Sequence, residues 1–220
     1  MAKNQNSPGM SAMAGVATAP AGADEDSLNL PEWARPILVV GMMLAVMWLV
    51  EIVDLIPRTS FDRWGIQPRE VQGLVGVVTM PFLHDGFGHL ISNTVPFLIL
   101  GAMVAAGGVA RYFVVTGIVT LVAGVGVWLL GPDDTVHIGA SALVFGYLTY
   151  LLSRGFYERK VMNLVVGLVV LFLYGGVLWG VLPRPGISWQ GHLFGAVGGV
   201  LAARVVHNEA VTTRRSGSTA

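Results

Sequence analysis

The chain has 220 residues, of which 54% are hydrophobic and 12% charged, a balance far outside that of average soluble globular proteins. This composition indicates an integral membrane protein with one main domain. The 13 acidic and 13 basic residues cancel, so charge gives no reason to expect a nucleic acid partner. The lack of cysteine excludes disulfides, a thiolate nucleophile and cysteine-ligated metals.

Polar, low-complexity sequence is found at both ends of the chain. Residues 1–30 are rich in Ala, Gly, Ser and Asn, end in an acidic cluster and show no sustained apolar period, which predicts a disordered tail. They lack the apolar core of a secretory signal. Residues 208–220 are also polar and predict a second tail. The membrane domain is therefore expected to cover residues 31–207.

Six apolar stretches are candidates for transmembrane helices, because a helix needs about 20 mostly apolar residues to cross a bilayer. In chain order they are residues 36–56, 88–109, 112–130, 138–153, 162–182 and 191–207. We therefore predict an all-α integral membrane fold with a bundle of six transmembrane helices. The fourth and sixth stretches are the shortest, and both begin at a polar motif. This favours helices whose first turn starts below the membrane surface.

Two connecting loops carry further structural signals. The loop at residues 57–87 contains three prolines and an apolar run, 71–83, that is too short to span, so we expect interfacial short helices. The loop between the third and fourth stretches, GPDDTVHIGA, ends in small residues. These residues would let the backbone dip toward Ser141.

Basic residues predict the orientation of the bundle. If both termini lie in the cytoplasm, nine basic residues are inside: Lys3, Arg35, Arg111, Arg154, Arg159, Lys160, Arg204, Arg214 and Arg215. Four are then outside: Arg58, Arg63, Arg69 and Arg184. In this orientation the second, fourth and sixth helices begin at the outer side. His89, Ser141 and His192 are therefore expected at one level near the outer leaflet.

Such a convergence of polar residues predicts a functional site, because polar groups in hydrocarbon cost free energy unless they are partnered. A nucleophilic serine needs a base within about 2.6–3.2 Å, and His192 is the candidate base for Ser141. Gly195 and Gly199 lie on the same helix face as His192 and would let the two helices approach closely. Phe145, one turn after Ser141, could stack on the imidazole. No buried carboxylate is evident as a third member, so we expect a dyad.

The same region offers groups for an oxyanion. Attack on a peptide carbonyl creates negative charge on oxygen, and preorganised donors stabilise it. The first turn of the fourth helix supplies backbone N–H groups, including that of Ser141. His89 and Asn93 are four residues apart, so they share a helix face and can both donate side-chain hydrogen bonds.

Three motifs occur in order on the second, fourth and sixth predicted helices. They are HxxxN at His89 and Asn93, GxSx from Gly139 to Ala142, and GHxxGxxxG at residues 191–199. In this order they resemble the rhomboid family of intramembrane serine proteases. The resemblance covers approximately residues 36–207.

The rhomboid resemblance implies a role for each matching residue. Ser141 would be the nucleophile and His192 its general base, while His89 and Asn93 would assist the oxyanion. His84, in PFLHDGFGHLISN, corresponds to a further histidine frequent in the family. Two positions depart from the family pattern: Ala142 stands where many relatives have glycine, and a Trp-Arg pair of the first loop appears in reversed order at residues 63–64.

Structural interpretations of these residues remain open. A serine in a helix often hydrogen-bonds a carbonyl one turn back, and His89 with Asn93 could be a packing or capping pair. We expect His84 to tie the first loop to the second helix and His137 to be a hydrogen-bond donor within its loop. Glu51, near the outer end of the first helix, is expected to cap loop backbone or reach interfacial water.

The sequence also bears on other classes of membrane protein. A metal-dependent membrane protease would need HExxH, which the chain lacks, and an aspartyl protease would need paired intramembrane aspartates, whereas Asp133 and Asp134 lie in a loop. A small transporter and a catalytically inactive rhomboid-like chaperone or interaction protein remain alternatives. No inverted repeat is visible to support the transporter.

The sequence as a whole predicts a serine endopeptidase that cleaves transmembrane or membrane-proximal segments of membrane proteins near the outer leaflet. Its partners would be such substrates and the lipid bilayer, with no metal, cofactor or nucleic acid. A bacterial plasma membrane is the expected location, because no organelle-targeting signal is evident. The fifth helix and the segment 181–190 are the predicted gate to the site.

Overall fold

Helices are the regular elements throughout the part of the chain that the computed structural model describes, namely residues 31, 33–56, 60–158, 161–184 and 186–217, with side chains as far as Asn208. The described helices are α1 (Ala34–Asp54), α2 (Gly76–Thr79), α3 (Gly86–Ala105), α4 (Val109–Leu130), α5 (Ser141–Glu158), α6 (Val161–Tyr174) and α7 (Trp189–Gly217). The tail predicted for residues 1–30 lies outside the described residues.

The all-α prediction is confirmed for these residues, but the count of six membrane-spanning helices is not. Four helical stretches are long and apolar enough to cross a membrane: α1, α3, α4, and α6 with the 3-10 helix that continues it to Val181. The other two long helices, α5 and α7, overlap the fourth and sixth predicted stretches. They are less apolar, since α5 ends in charged residues and α7 begins with a polar turn. Their crossing of the membrane stays a prediction.

The C-terminal helix is longer than the sequence predicted for the membrane domain. We expected the domain to end at residue 207, whereas α7 continues to Gly217. The polar residues after 207 therefore extend a helix rather than start an irregular tail.

The loop between α1 and α3 consists of short helical turns, as predicted for an apolar segment too short to span. These turns are Phe61–Trp64, Gln72–Leu74, Gly76–Thr79 and Met80–Phe82. Two backbone hydrogen bonds join Ile66 of this loop to His137, with N···O distances of 3.0 and 2.9 Å. Because His137 lies four residues before Ser141, this bridge fixes the first loop against the entry to α5.

The centre of the bundle is α5, which packs against α3, α4, α6 and α7. Ten of its residues are buried, including Leu143, Tyr147 and Leu148. In contrast, α6 buries only Gly167 and Val170, and its remaining large apolar side chains are exposed or half-buried. Such an apolar outer face is suited to lipid rather than water.

Helices α5 and α7 approach each other through backbone rather than side chains. A Cβ atom at Gly195 would lie 2.2 Å from the carbonyl oxygen of Ala142, and one at Gly199 would lie 2.0 Å from that of Gly146. Neither position therefore has room for a methyl group. This close approach agrees with the role predicted for the two α7 glycines.

Gly199→Ala is expected to destabilise the protein by about 1–3 kcal/mol, because the new methyl group must push α7 away from a backbone carbonyl that cannot move aside. Gly117→Ala on α4 is the matched control, since a Cβ there meets no atom within 4 Å. Thermal unfolding in detergent micelles measures both. Equal melting temperatures for the two variants would contradict the close packing of α5 and α7.

Candidate active site

The turn that enters α5 is held by contacts from the loop before α3. The Gly139 N–H donates to the Met80 carbonyl at 2.9 Å, and the Ala140 N–H donates to His84 Nε2 at 3.3 Å. The first α5 hydrogen bonds go from Leu143 and Val144 to the Ala140 carbonyl. Ser141 is therefore the first residue of the helix, and its own N–H donates to no atom of the described residues.

Glycine at position 139 satisfies two separate requirements. Its φ of +115° lies in the left-handed region that side chains disfavour. In addition, a Cβ there would lie 2.7 Å from His89 Nε2. The backbone turn before Ser141 can thus pass directly beneath the His89 ring.

Ser141 and His192 form a hydrogen bond between the starts of α5 and α7. The distance between Ser141 Oγ and His192 Nε2 is 2.9 Å. The other ring nitrogen, Nδ1, lies 2.8 Å from the carbonyl oxygen of Gly180. A carbonyl can only accept, so Nδ1 carries the proton and Nε2 is free to accept from the serine hydroxyl. This tautomer is the one that a general base requires.

Phe145 and Gly180 hold the imidazole of His192 from two sides. The Phe145 ring stacks on it with a centroid distance of 4.2 Å and an interplanar angle of 9°. The predicted stacking is therefore present. Gly180 lies against the edge of this ring pair, where a Cβ would be 2.8 Å from Phe145 Cζ and 3.1 Å from His192 Nδ1.

His89 and Asn93 lie on one face of α3 beside the Ser141 hydroxyl. The N–H of Asp85 donates to His89 Nδ1 at 3.4 Å, so the proton of a neutral His89 is on Nε2. The Asn93 side-chain amide donates one hydrogen to the His89 carbonyl at 3.0 Å. Its second N–H remains available. Both side chains therefore present a donor.

These four side chains line a single cavity of about 640 Å³. Its lining residues are Asp62, Asp85, His89, Ser92, Asn93, Val136, Ile138, Ser141, Gly186, Ile187, Ser188 and His192. The structure thus brings together all four residues proposed from sequence to take part in chemistry. Together with the Ser141 N–H they place a hydroxyl, an imidazole nitrogen that accepts its hydrogen, and three hydrogen-bond donors around one space.

Several lining residues were not anticipated from sequence. Asp62 and Asp85 place two carboxylates in the cavity wall, and burial together with Asp54 and Asp85 raises the pKa of Asp62. Asp85 could have been predicted, because it lies four residues before His89. The Gly180 carbonyl that accepts from His192 could not, because every residue carries a carbonyl.

His84 and His137 belong to the scaffold, as predicted. The His84 ring packs edge-to-face against His89 of α3, with centroids 5.1 Å apart, and in addition it accepts the Ala140 N–H of the turn before α5. His137 lies between Thr135 and Ser188, at 3.0 and 2.6 Å. Because the Thr135 hydroxyl donates to the Pro132 carbonyl, His137 Nε2 donates to Thr135 and its Nδ1 accepts from Ser188. Burial lowers the pKa of His137.

Comparison with known proteins identifies the family. The family model described as the Rhomboid domain matches residues 71–209, a range that includes His89, Asn93, Ser141 and His192. The chain belongs to the rhomboid family. The family resemblance drawn from the sequence motifs is therefore confirmed. Together with the four apolar helices, membership marks this rhomboid as a multi-pass membrane protein.

Its relatives include bacterial proteins of unassigned and of proposed function. An uncharacterized protein of Mycobacterium tuberculosis, Rv1337, is 42% identical over 79% of this chain and 76% of its own length. A second, ML1171 of Mycobacterium leprae, is 41% identical over 78% of this chain and 71% of its own length. A Bacillus subtilis protein named "Putative rhomboid protease YdcA" is 28% identical over 79% of this rhomboid and 90% of its own length.

Gly180→Ala is expected to slow the reaction of Ser141 with a fluorophosphonate by at least about tenfold, because its methyl group would displace the His192 ring and break the bond to Nδ1. Gly176→Ala, in the same 3-10 segment, is the control, since a Cβ there meets no atom within 4 Å. The measurement is the labelling rate in detergent, with melting temperatures to confirm folding. Equal rates for the two variants would remove Gly180 from the site.

The stability of this rhomboid is expected to fall as the pH is lowered from about 6.5 to about 4. Burial, with a smaller contribution from His89, lowers the pKa of His84 from 6.5 to about 4, so the unfolded chain takes up a proton in this range and the folded chain does not. The loss from His84 is at most about 3 kcal/mol. His84→Gln should flatten the dependence of melting temperature on pH, whereas an unchanged slope would show that His84 does not cause it.

Proposed function

We propose that this rhomboid is an intramembrane serine endopeptidase that cleaves transmembrane or membrane-proximal segments of other proteins with Ser141 and His192. The observation that carries the proposal is the 2.9 Å contact from Ser141 Oγ to His192 Nε2, with Nδ1 bound to the Gly180 carbonyl. A serine, a base in the correct tautomer and a group that fixes the base form the general arrangement of nucleophilic catalysis.

The first step forms an acyl-enzyme. Ser141 Oγ attacks the carbonyl carbon of the cleaved peptide bond while His192 Nε2 takes the hydroxyl proton. The resulting oxyanion is stabilised by the Ser141 N–H and by the donors of His89 and Asn93. When the intermediate collapses, the C–N bond breaks and His192 returns the proton to the leaving amine. The N-terminal part of the substrate remains as an ester on Ser141.

The second step releases the product with water from the cavity. His192 Nε2 takes a proton from a water molecule whose oxygen attacks the ester carbonyl, and the same donors hold the new oxyanion. Collapse of this intermediate breaks the bond to Oγ, which takes the proton back from His192. The products are a carboxylic acid and the free serine hydroxyl.

The site places a demand on the substrate. A helix has no free backbone carbonyl at its centre, so a segment must unwind locally before Ser141 can reach it. We therefore expect small or helix-breaking residues near the cleaved bond. Entry beside α6 is favoured by its weak burial, since only Gly167 and Val170 of that helix are buried.

Topology and location form part of the same proposal. The six segments predicted from sequence would all cross the membrane, with both termini in the cytoplasm and the site near the outer leaflet. A bacterial plasma membrane is supported by the mycobacterial relatives. The transporter alternative would need polar side chains along a path across the bilayer, whereas the polar residues of the cavity cluster at the starts of α3, α5 and α7.

Wild-type protein is expected to cleave a single-pass model substrate and to be labelled by a fluorophosphonate, while Ser141→Ala and His192→Ala lose cleavage. The physical reason is that Ser141 alone among the described serines of the cavity bonds to His192, whereas the Ser92 and Ser188 hydroxyls are bonded to the His89 carbonyl and to His137. Ser92→Ala is the matched control, because Ser92 lines the same cavity but its hydroxyl donates to the His89 carbonyl.

Cleavage and labelling products identified by mass spectrometry decide the proposal. A label on Ser141 that is lost in Ser141→Ala and kept in Ser92→Ala would support it. A folded wild-type protein that is neither labelled nor cleaves would leave the inactive rhomboid-like protein as the better description, and cleavage by Ser141→Ala would overturn the assignment of the nucleophile.

A further inference from the structure

A second cavity of about 340 Å³ lies beside the catalytic cavity, between the loop before α5 and the segment before α7. The two cavities share four lining residues: Val136, Gly186, Ile187 and Ser188. A chain that occupies the catalytic cavity would therefore contact the wall that both cavities share. The wall of the second cavity includes part of the segment 181–190.

The second cavity contains hydrogen-bond donors that have no acceptor. Gln190 is 9% exposed, lines the cavity, and its side-chain amide makes no hydrogen bond with any described residue. The indole N–H of Trp189 and the guanidinium of Arg184 line the same cavity, and they too have no partner in the described ranges. These donors are open to the space of the cavity, so an acceptor group that enters it can bind to them.

The charges around the second cavity indicate the charge of the group that would bind there. Arg184 lines this cavity, whereas none of the lining residues that the structure describes is a carboxylate. In the adjacent turn Asp133 is paired with Arg69, and Asp134 is exposed to solvent. The first turn of α7, a helix of 29 residues, adds partial positive charge. His137 lines the cavity without offering a ring nitrogen to a ligand, because both nitrogens are hydrogen-bonded, to Thr135 and Ser188.

We propose that the second cavity is a subsite for an acidic side chain of the substrate, Asp or Glu, bound by Arg184 and Gln190. The proposal rests on the proposed protease function and names the substrates that the site would prefer. A polypeptide is favoured over a phosphate of lipid because the cavity shares a wall with the catalytic one. A carboxylate bonded by a guanidinium and an amide N–H satisfies the donors that the protein leaves open.

The catalytic cavity has the opposite charge. Asp62 and Asp85 line it, and no Lys or Arg does among the described residues. A polypeptide that crosses both cavities would therefore place its acidic residue toward Arg184 and keep acidic residues away from Asp62. The two cavities together give the substrate a preferred direction and register.

The test uses full-length protein in detergent and single-pass substrates in which one Glu, or one Gln in its place, is moved residue by residue along both sides of the cleaved bond. At one position the Glu substrate should be cleaved with about tenfold higher kcat/KM than its Gln counterpart, as expected for a partly exposed charged hydrogen bond. Arg184→Gln and Gln190→Ala should abolish this difference. Arg63→Gln and Gln72→Ala, at exposed positions outside both cavities, should preserve it.

Each outcome separates the subsite from the protease function. All four variants should keep fluorophosphonate labelling of Ser141, since the probe does not need the subsite. Equal cleavage of every Glu and Gln pair by a labelled enzyme would overturn the subsite alone. If cleavage of all substrates in vesicles instead rises with phosphatidylglycerol in the wild type but not in Arg184→Gln, the occupant is a lipid headgroup and the proposal is wrong. Loss of labelling in the wild type itself would reject the protease function.

Discussion

Backbone contact between α5 and α7 is the constraint on which the site depends. Ser141 begins one helix and His192 begins the other, so the hydrogen bond between them can form only if the two helices meet at their N-terminal ends. Gly195 against the Ala142 carbonyl allows this approach, and Gly199 against Gly146 continues it one turn further. In membranes small residues often serve this purpose, because no hydrophobic driving force brings helices together. Here the same packing that stabilises the bundle sets the distance between Ser141 Oγ and His192 Nε2.

The turn before Ser141 is positioned by contacts with the first loop rather than by helix packing. The turn before Ser141 is bonded to the Met80 carbonyl and to His84, and the bridge from Ile66 to His137 anchors the residues before it. A neutral His84 is required for this role, because it must accept the hydrogen of the Ala140 N–H. Its low pKa is therefore a condition of the turn geometry as well as a result of burial.

Sequence predicted most of what depends on local spacing. The i, i+4 pair of His89 and Asn93, the stacking of Phe145 and the contact face of the α7 glycines all follow from helix periodicity, and the family motifs gave their order. Features that depend on backbone or on long-range packing were not predictable. The acceptor for His192 is a carbonyl, which any residue supplies. The cavity position of Asp62 depends on how the short turns of the first loop fold. The extension of α7 to Gly217 runs against the polar composition of its last residues.

His192 is oriented by a backbone carbonyl and not by a carboxylate, so its orientation depends on the segment that contains Gly180. An aspartate in a triad is held by its own side-chain contacts. The Gly180 carbonyl, by contrast, is part of the backbone, so its position is that of the 3-10 segment Gly175–Val181, none of whose residues is buried. That segment continues α6, the helix with the fewest buried residues among the long helices with described side chains. Movement of α6 would therefore alter both the side entrance to the bundle and the orientation of His192. In the proposed protease, access for a substrate and the orientation of His192 would thus be coupled through one weakly packed element, at Gly180.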